Sequence, residues 1–251
     1  MTTSLRNVLA TTAVVVLATA LAGCASAVPA APSSPSASTD PEASDPAVAA
    51  VADYLEAVTF GNIAGAWRAL SPESQATYDD SADTYARLAP TNGSVTAACA
   101  RALAHGDFTV SAGPGDAFQL VSARAGDLAD AWVVRDAGTG LRIDDAGAPP
   151  TGEPAYSWKN PDDTAHDPAV PPSIYFPTTH GAGGDADVIA GPPQAVVGYA
   201  DGTRVTVTRE ASAGSGAVFT VDAPADTEVL TVVWAPDPER THWQSTTVTL
   251  D

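Results

Sequence analysis

Four histidines are the first candidates for catalytic chemistry, because imidazole is the side chain most often used as a base near neutral pH. They are dispersed along the chain: His105 at a helix end, His166 in a proline-rich stretch, His180 in a loop and His242 at the start of a strand. No two of them have the spacing of a helical metal motif. We therefore predict four solvated surface histidines rather than bases.

Carboxylates suggest a second kind of site, for a metal ion. Asp162, Asp163 and Asp167, near Asn160, could supply oxygen ligands to Ca²⁺, which takes about six to eight of them. Their spacing is not that of an EF-hand. The pattern favours a solvated acidic segment, with calcium as the alternative, and we expect no cofactor.

One cysteine and three tryptophans have a structural explanation. Cys99 falls at helical spacing on an apolar stripe, which predicts a buried core position rather than an exposed nucleophile. Trp158, Trp234 and Trp243 could stack on sugar rings, but tryptophan in a strand usually belongs to the core.

Composition excludes several classes of function. The chain has 11 Lys and Arg against 30 Asp and Glu, and a formal charge of -19 repels the phosphates of nucleic acids. The single lysine, Lys159, lies in no motif for a Schiff base or a bound phosphate. Glycine-rich nucleotide loops and the Gly-x-Ser-x-Gly elbow are absent from the sequence. We therefore expect neither a nucleic-acid partner nor an enzyme.

Residues 1–23 have the organisation of a signal peptide. The apolar run at 8–22 is shorter than the roughly 20 residues that cross a bilayer. It ends on Leu-Ala-Gly before Cys24, which resembles the lipobox of bacterial lipoproteins. The resemblance implies lipid on Cys24 and a position on the extracytoplasmic side of the cell membrane. The alternative is cleavage after the Ala-x-Ala sequence at 25–27, which would release a soluble protein.

Residues 24–45 are predicted to form a tether between the lipid and the folded part. They are rich in Ala, Pro and Ser, with Pro29, Pro32 and Pro35 at every third position. Such a composition favours an extended polyproline spacer over a packed core.

Residues 46–146 open with helices. Asp45 and Pro46 predict a helix start, Val48, Val51, Ala52, Leu55 and Val58 share one face, and Gly61 ends the helix. We predict further helix starts at Asn62 and Ser71, another helix over 78–89, and one that Ser94 caps after a turn at Asn92 and Gly93.

From Phe108 the apolar period changes to two, which predicts strands near 108–110, 117–124, 128–135 and 141–143. Helices followed by a meandering antiparallel sheet give an α+β plan. The helices together with the segments Ala131–Arg135 and Leu141–Asp144 resemble the cone-shaped domains of the nuclear transport factor two superfamily, which actinobacterial lipoproteins often carry. That superfamily includes SnoaL-like cyclases and isomerases.

Residues 147–172 are rich in proline and acid, which predicts a linker, with partial packing through Tyr156 and Trp158 as an alternative. Residues 173–251 are strand-like throughout. Asp201-Gly202 predicts a hairpin between strands at 194–199 and 203–209, and further strands follow at 217–221, 228–234 and 242–250. The pattern is similar to an immunoglobulin-like β-sandwich, and a β-barrel is the alternative.

Three classes of function remain: a scaffold or binding module for an envelope protein, a binder of a small apolar ligand or lipid inside the cone, and a SnoaL-like enzyme. The enzyme would need an acid-base pair in the cone. Among the five candidate residues for this pair, Asp53 faces away from the apolar stripe of its helix, and the other four lie near helix ends. An interior filled with apolar groups favours the scaffold, and a hollow apolar interior favours the binder. A hollow interior with a buried carboxylate or histidine favours the enzyme. The other candidates for the acid-base pair are Tyr54, Tyr78, Asp79 and Asp80.

Overall fold

A computed structural model describes residues 45–89, 95–144, 156–160, 169–177, 193–210, 216–236 and 239–250, all within one compact unit. The described chain is α+β, with five α-helices and three antiparallel sheets of four strands each. The helices are α1 (Pro46–Thr59), α2 (Ile63–Ala69), α3 (Pro72–Ala76), α4 (Ala82–Leu88) and α5 (Ala97–Leu103). The strands are β1 (Asp107–Ala112), β2 (Gln119–Ala125), β3 (Leu128–Asp136), β4 (Leu141–Asp144), β5 (Ser157–Asn160), β6 (Ser173–Pro177), β7 (Ala195–Ala200), β8 (Thr203–Val205), β9 (Val207–Glu210), β10 (Gly216–Val221), β11 (Val229–Ala235) and β12 (Gln244–Thr249).

Side-chain caps set the helix starts. The Asp45 carboxylate accepts from the amide of Ala47 at 2.8 Å, and the Asn62 side chain accepts from the amide of Gly65 at 3.0 Å. Each cap satisfies an amide that has no partner inside its helix. These caps confirm the predicted starts of α1 and α2. Helix α5 begins two residues beyond the expected position, because Thr96 caps it; Ser94 lies outside the described residues.

The buried faces of two helices differ from those predicted. In α1, Tyr54 joins Val51 and Leu55 in the core, whereas Val48, Ala52 and Val58 are half-buried. In α5, Ala100 and Leu103 are buried and Cys99 is only half-buried, so the predicted core position of Cys99 is wrong. The reason is that α5 turns Ala100 and Leu103, not Cys99, toward α1 and the neighbouring strands.

Sheet A has the strand order β1-β2-β3-β4, which confirms the predicted meander. Its β3 strand is apolar on both faces. Trp132 and Val134 pack with the helices, while Ala131 and Val133 pack against the opposite layer. Alternation along a strand places neighbouring residues on opposite faces. Sheet A is therefore an internal layer with the helices on one side only.

Sheet C (β12-β11-β7-β8) covers the other face of sheet A, and sheet B (β5-β6-β10-β9) covers the far face of sheet C. The β11 strand shows this arrangement, because Val233 faces sheet A while Val232 and Trp234 face sheet B. The layers are therefore helices, sheet A, sheet C and sheet B, in that order.

The predicted hairpin at Asp201-Gly202 is confirmed, with both residues at positive φ (46° and 77°). The single strand expected at 203–209 is instead two strands in different sheets, β8 and β9, which Thr206 separates. Gly198 permits this crossing, because a Cβ at that position would lie 2.9 Å from Val207.

Part of the predicted linker belongs to the folded core. Within 147–172, Ser157–Asn160 forms β5 and pairs with β6. The division into two domains stays a prediction about folding units. The described residues before and after the predicted linker share one buried cluster. Its members are Phe118, Leu120, Ala131, Val133, Val197, Tyr199, Val233, Ala235 and Trp243. We call this set the shared core.

Tyr199 gives the shared core a measurable pH dependence. Its hydroxyl donates to the Ala112 carbonyl at 3.0 Å, and burial raises the pKa of Tyr199 to about 12, although Arg204 lowers it slightly. The unfolded tyrosine ionises near pH 10. Stability from this group is therefore complete below pH 10 and is lost as pH rises toward 12.

We expect Tyr199→Phe to flatten the alkaline part of the stability curve. Its urea midpoint should be lower than that of the parent at pH 8, because a hydrogen bond is lost. The difference should shrink between pH 10 and 11.5. If the urea midpoints of parent and variant fell equally steeply between pH 10 and 11.5, the raised pKa of Tyr199 would not be the cause of the alkaline loss of stability.

Candidate functional site

The acidic candidates do not come together in the structure. Asp53 is exposed on α1, as expected, and Asp79 and Asp80 are exposed in the turn after α3, where both have positive φ. Tyr54 and Tyr78 are buried. Tyr54 lies in the middle of α1, so its expected place near a helix end is wrong.

Aromatic rings fill the space between the helices and sheet A. Tyr78 and Tyr85 meet edge to face with their centroids 5.2 Å apart, and Trp67 lies 5.7 Å from Tyr85. The hydroxyl oxygens of Tyr54 and Tyr85 are 3.3 Å apart. Such edge contacts are the preferred geometry of packed aromatic rings. The space between the helices and sheet A, where a ligand or an acid-base pair of the cone would lie, therefore holds packed tyrosine and tryptophan.

A polar arrangement among the described residues lies elsewhere, where α3, the ends of β3 and β4 and the segment before β12 meet. We call it the junction cluster. It consists of Ser71, Ser74, Glu73, Arg135, Asp144 and His242. It links the helical part of the chain to sheet C.

Charge in the junction cluster centres on Arg135. Its Nε donates to Asp144 Oδ2 at 2.8 Å, and its Nη2 donates to Glu73. Burial lowers the pKa of Arg135, but the carboxylates of Asp144 and Glu73 outweigh burial and raise it. The same Asp144 oxygen accepts from the amide of Trp243 at 3.0 Å. One carboxylate thus holds both a neighbouring strand of sheet A and the segment leading into β12.

Ser74 and His242 form the second half of the cluster. Ser74 Oγ lies 3.3 Å from His242 Nε2, and Ser71 donates to Ser74 Oγ at 3.1 Å. A serine beside an imidazole is the start of a nucleophile-base pair. Ser74 is fully buried, however, and His242 is 8% exposed. The pair therefore joins α3 to the segment before β12 inside the protein.

The histidine predictions have different outcomes. His105 is exposed, as expected. The solvated position expected for His242 is wrong, because the packing of Trp243 into the shared core carries His242 inward to Ser74. His166 and His180 lie outside the described residues.

The tryptophan predictions are mostly confirmed. Trp234 and Trp243 are 3% and 1% exposed, and Trp158 is half-buried on strand β5 of sheet B. Trp234 and Trp243 therefore offer no open face of the kind that stacks on a sugar. Of the calcium candidates only Asn160 is described, and its amide donates to the Val170 carbonyl; Asp162, Asp163 and Asp167 lie outside the described residues.

Sequence reasoning missed the junction cluster. Arg135 ends a strand that is apolar on both faces, and Asp144 follows buried Ile143 on the adjacent strand. A charged residue at the end of a doubly apolar strand is a signal for a buried ion pair. The partners Glu73 and His242 are distant in sequence, and no local pattern joins them.

Within the described ranges, no group of three or more His, Cys, Asp or Glu side chains is placed to hold a metal ion. No helix in the same part of the chain is both long and apolar enough to cross a bilayer.

Comparison with known proteins identifies no relative. No protein-family model matches the chain, and neither does any curated protein or solved structure.

Proposed function

We propose that the chain is an extracytoplasmic lipoprotein, held on the cell membrane through lipid on Cys24, that acts as a non-catalytic binding or scaffold module. The observation that carries the non-catalytic part is the aromatic packing between the helices and sheet A. Rings of Tyr54, Trp67, Tyr78 and Tyr85 occupy the space that a ligand or reacting groups would need.

The architecture proposed for this module has two parts. The five helices and sheet A would form the cone of a nuclear transport factor two-like domain, and sheets B and C an immunoglobulin-like sandwich. The helix-then-meander order supports the first part. The face-to-face packing of Ile174 and Phe219 with Leu230 supports the second.

The tether would set the working range of the module. A polyproline chain extends about 3.1 Å per residue, so residues 24–45 would reach on the order of 65 Å from the membrane. Confinement of the module to this distance from the membrane raises the effective concentration of any partner in the same envelope. A weak surface contact can then suffice, and no deep pocket is needed.

Cys24→Ala tests the anchor. We expect the parent to enter the detergent phase on phase partitioning of whole cells and the variant to appear in the medium, because stable anchoring needs two acyl chains or more. Ala27→Leu is the matched control: it alters the alternative cleavage sequence and should leave the protein in the detergent phase. A Cys24→Ala variant that stays in the membrane fraction would refute lipid at this residue.

In-cell crosslinking tests the binding role. Crosslinking of living cells, followed by mass spectrometry, should capture the same envelope protein or lipid repeatedly with the parent and lose it with Cys24→Ala. Turnover of a small substrate by the purified chain, abolished by Tyr54→Phe or Tyr85→Phe, would instead favour a SnoaL-like enzyme.

A further inference from the structure

The turn between α1 and α2 carries two of the three large apolar side chains that are exposed in the described ranges. Phe60 is 76% exposed and Ile63 is 38% exposed, whereas the third residue, Val170, lies far away in the sequence. Ala64 beside them is exposed as well. We call Phe60, Ile63 and Ala64 the turn patch. Because aromatic side chains are enriched in protein interfaces, the turn patch is a candidate contact surface.

Opposite charges flank the turn patch. Glu56 is exposed one helical turn before Phe60, whose amide donates to the Glu56 carbonyl at 3.1 Å. Arg68 is exposed on α2, and its Nε donates to the Ala64 carbonyl at 3.0 Å, so its side chain folds back toward the patch. Neither Glu56 nor Arg68 forms a salt bridge with another residue of the described ranges. Both charges are therefore available to a partner.

An apolar patch with an acidic flank and a basic flank is complementary to itself. In a two-fold symmetric contact, the same surface of both copies takes part, and residue i of one copy meets residue j of the other. With the axis at Phe60, the apolar side chains meet at the centre, and Glu56 of each copy faces Arg68 of the other. A membrane surface fits the patch less well, because the formal charge of -19 repels anionic headgroups and Arg68 alone offsets little of it.

We propose that the turn patch is a weak interface between two copies of this chain. Stable interfaces bury about 800 Å² per partner, more than a patch of three side chains supplies, so the contact is reversible. The inference goes beyond the proposed function and needs only described residues. A lipid anchor would favour the contact by confining both copies to one membrane.

Photo-crosslinking from Phe60 identifies what covers the turn patch. The full chain carries Cys24→Ala, so that no detergent is needed, and p-benzoylphenylalanine replaces Phe60. Irradiation of the purified protein at high micromolar concentration should give a species of twice the chain mass, with a yield that rises with concentration. The same probe in place of Val170 is the control and should give almost none of it. Absence of the doubled species, or an equal yield from both positions, would overturn the proposal.

Charge reversal tests the two-fold arrangement. Glu56→Arg and Arg68→Glu should each lower the yield of the doubled species about five- to tenfold, because like charges then face each other. The double variant, and an equimolar mixture of the two single variants, should both recover the parental yield. Circular dichroism should show parental folding throughout, since both side chains are exposed. A double variant and a mixture that crosslink no better than the single variants would overturn the proposal.

Discussion

Arg135→Met is expected to lower the free energy of unfolding by about 3 to 5 kcal/mol, the usual cost of removing one partner from a buried ion pair. The Asp144 side chain is fully buried, and its Oδ1 already has no hydrogen-bond partner in the described part of the chain. Without Arg135, the remaining contact of Asp144 is the amide of Trp243. Urea denaturation at pH 7, followed by circular dichroism, measures the loss.

A double variant and a surface control make this test specific. Asp144→Asn in the Arg135→Met background should recover part of the loss, because the neutral amide oxygen can still accept from Trp243. Arg124→Met removes an exposed ion pair with Glu228 and should change stability little. Equal effects of Arg135→Met and Arg124→Met would contradict a structural role for the junction cluster.

Trp243→Ala should also cost about 3 to 5 kcal/mol, because it empties the centre of the shared core. Trp243 is 1% exposed, and the centroid of its ring lies 4.8 Å from that of Phe118, which immediately precedes β2 of sheet A. Because the shared core joins sheet A to sheet C, we expect the parent to unfold in one transition that helical and tryptophan signals report together.

The control for this substitution is Phe60→Ala, since Phe60 is 76% exposed at the end of α1. It should leave the unfolding midpoint nearly unchanged. Two separate unfolding transitions in the parent, with Trp243→Ala affecting only one of them, would contradict a shared core. They would instead support two domains that unfold independently.

Local signals in the sequence predict the elements well because their physical causes are local. Caps at Asp45, Asn62 and Ser71 need only a side chain and an amide a few residues away. The hairpin at Asp201-Gly202 depends on two residues that tolerate positive φ. The strand bounds predicted for sheet A likewise lie within two residues of the observed ones.

Long-range packing explains what the sequence did not reveal. The shared core requires β3 and β11 to be apolar on both faces. Apolar runs such as Ala131–Val134 indicate in the sequence that both faces are buried, but they do not indicate which layer each face contacts. His242 is buried because its neighbour Trp243 is a core residue, which alternation along one strand does not predict. The inward position predicted for Cys99 is wrong because the alanines of α5 do not define one apolar face in the sequence.

Intact mass of the protein extracted from membranes tests the central claim, that lipid on Cys24 holds this module at the cell envelope. The account predicts a mature chain that begins at Cys24 and is heavier than its sequence by the mass of diacylglycerol, with or without a further acyl chain. An unmodified chain that begins at Val28, after the Ala-x-Ala sequence, would contradict it.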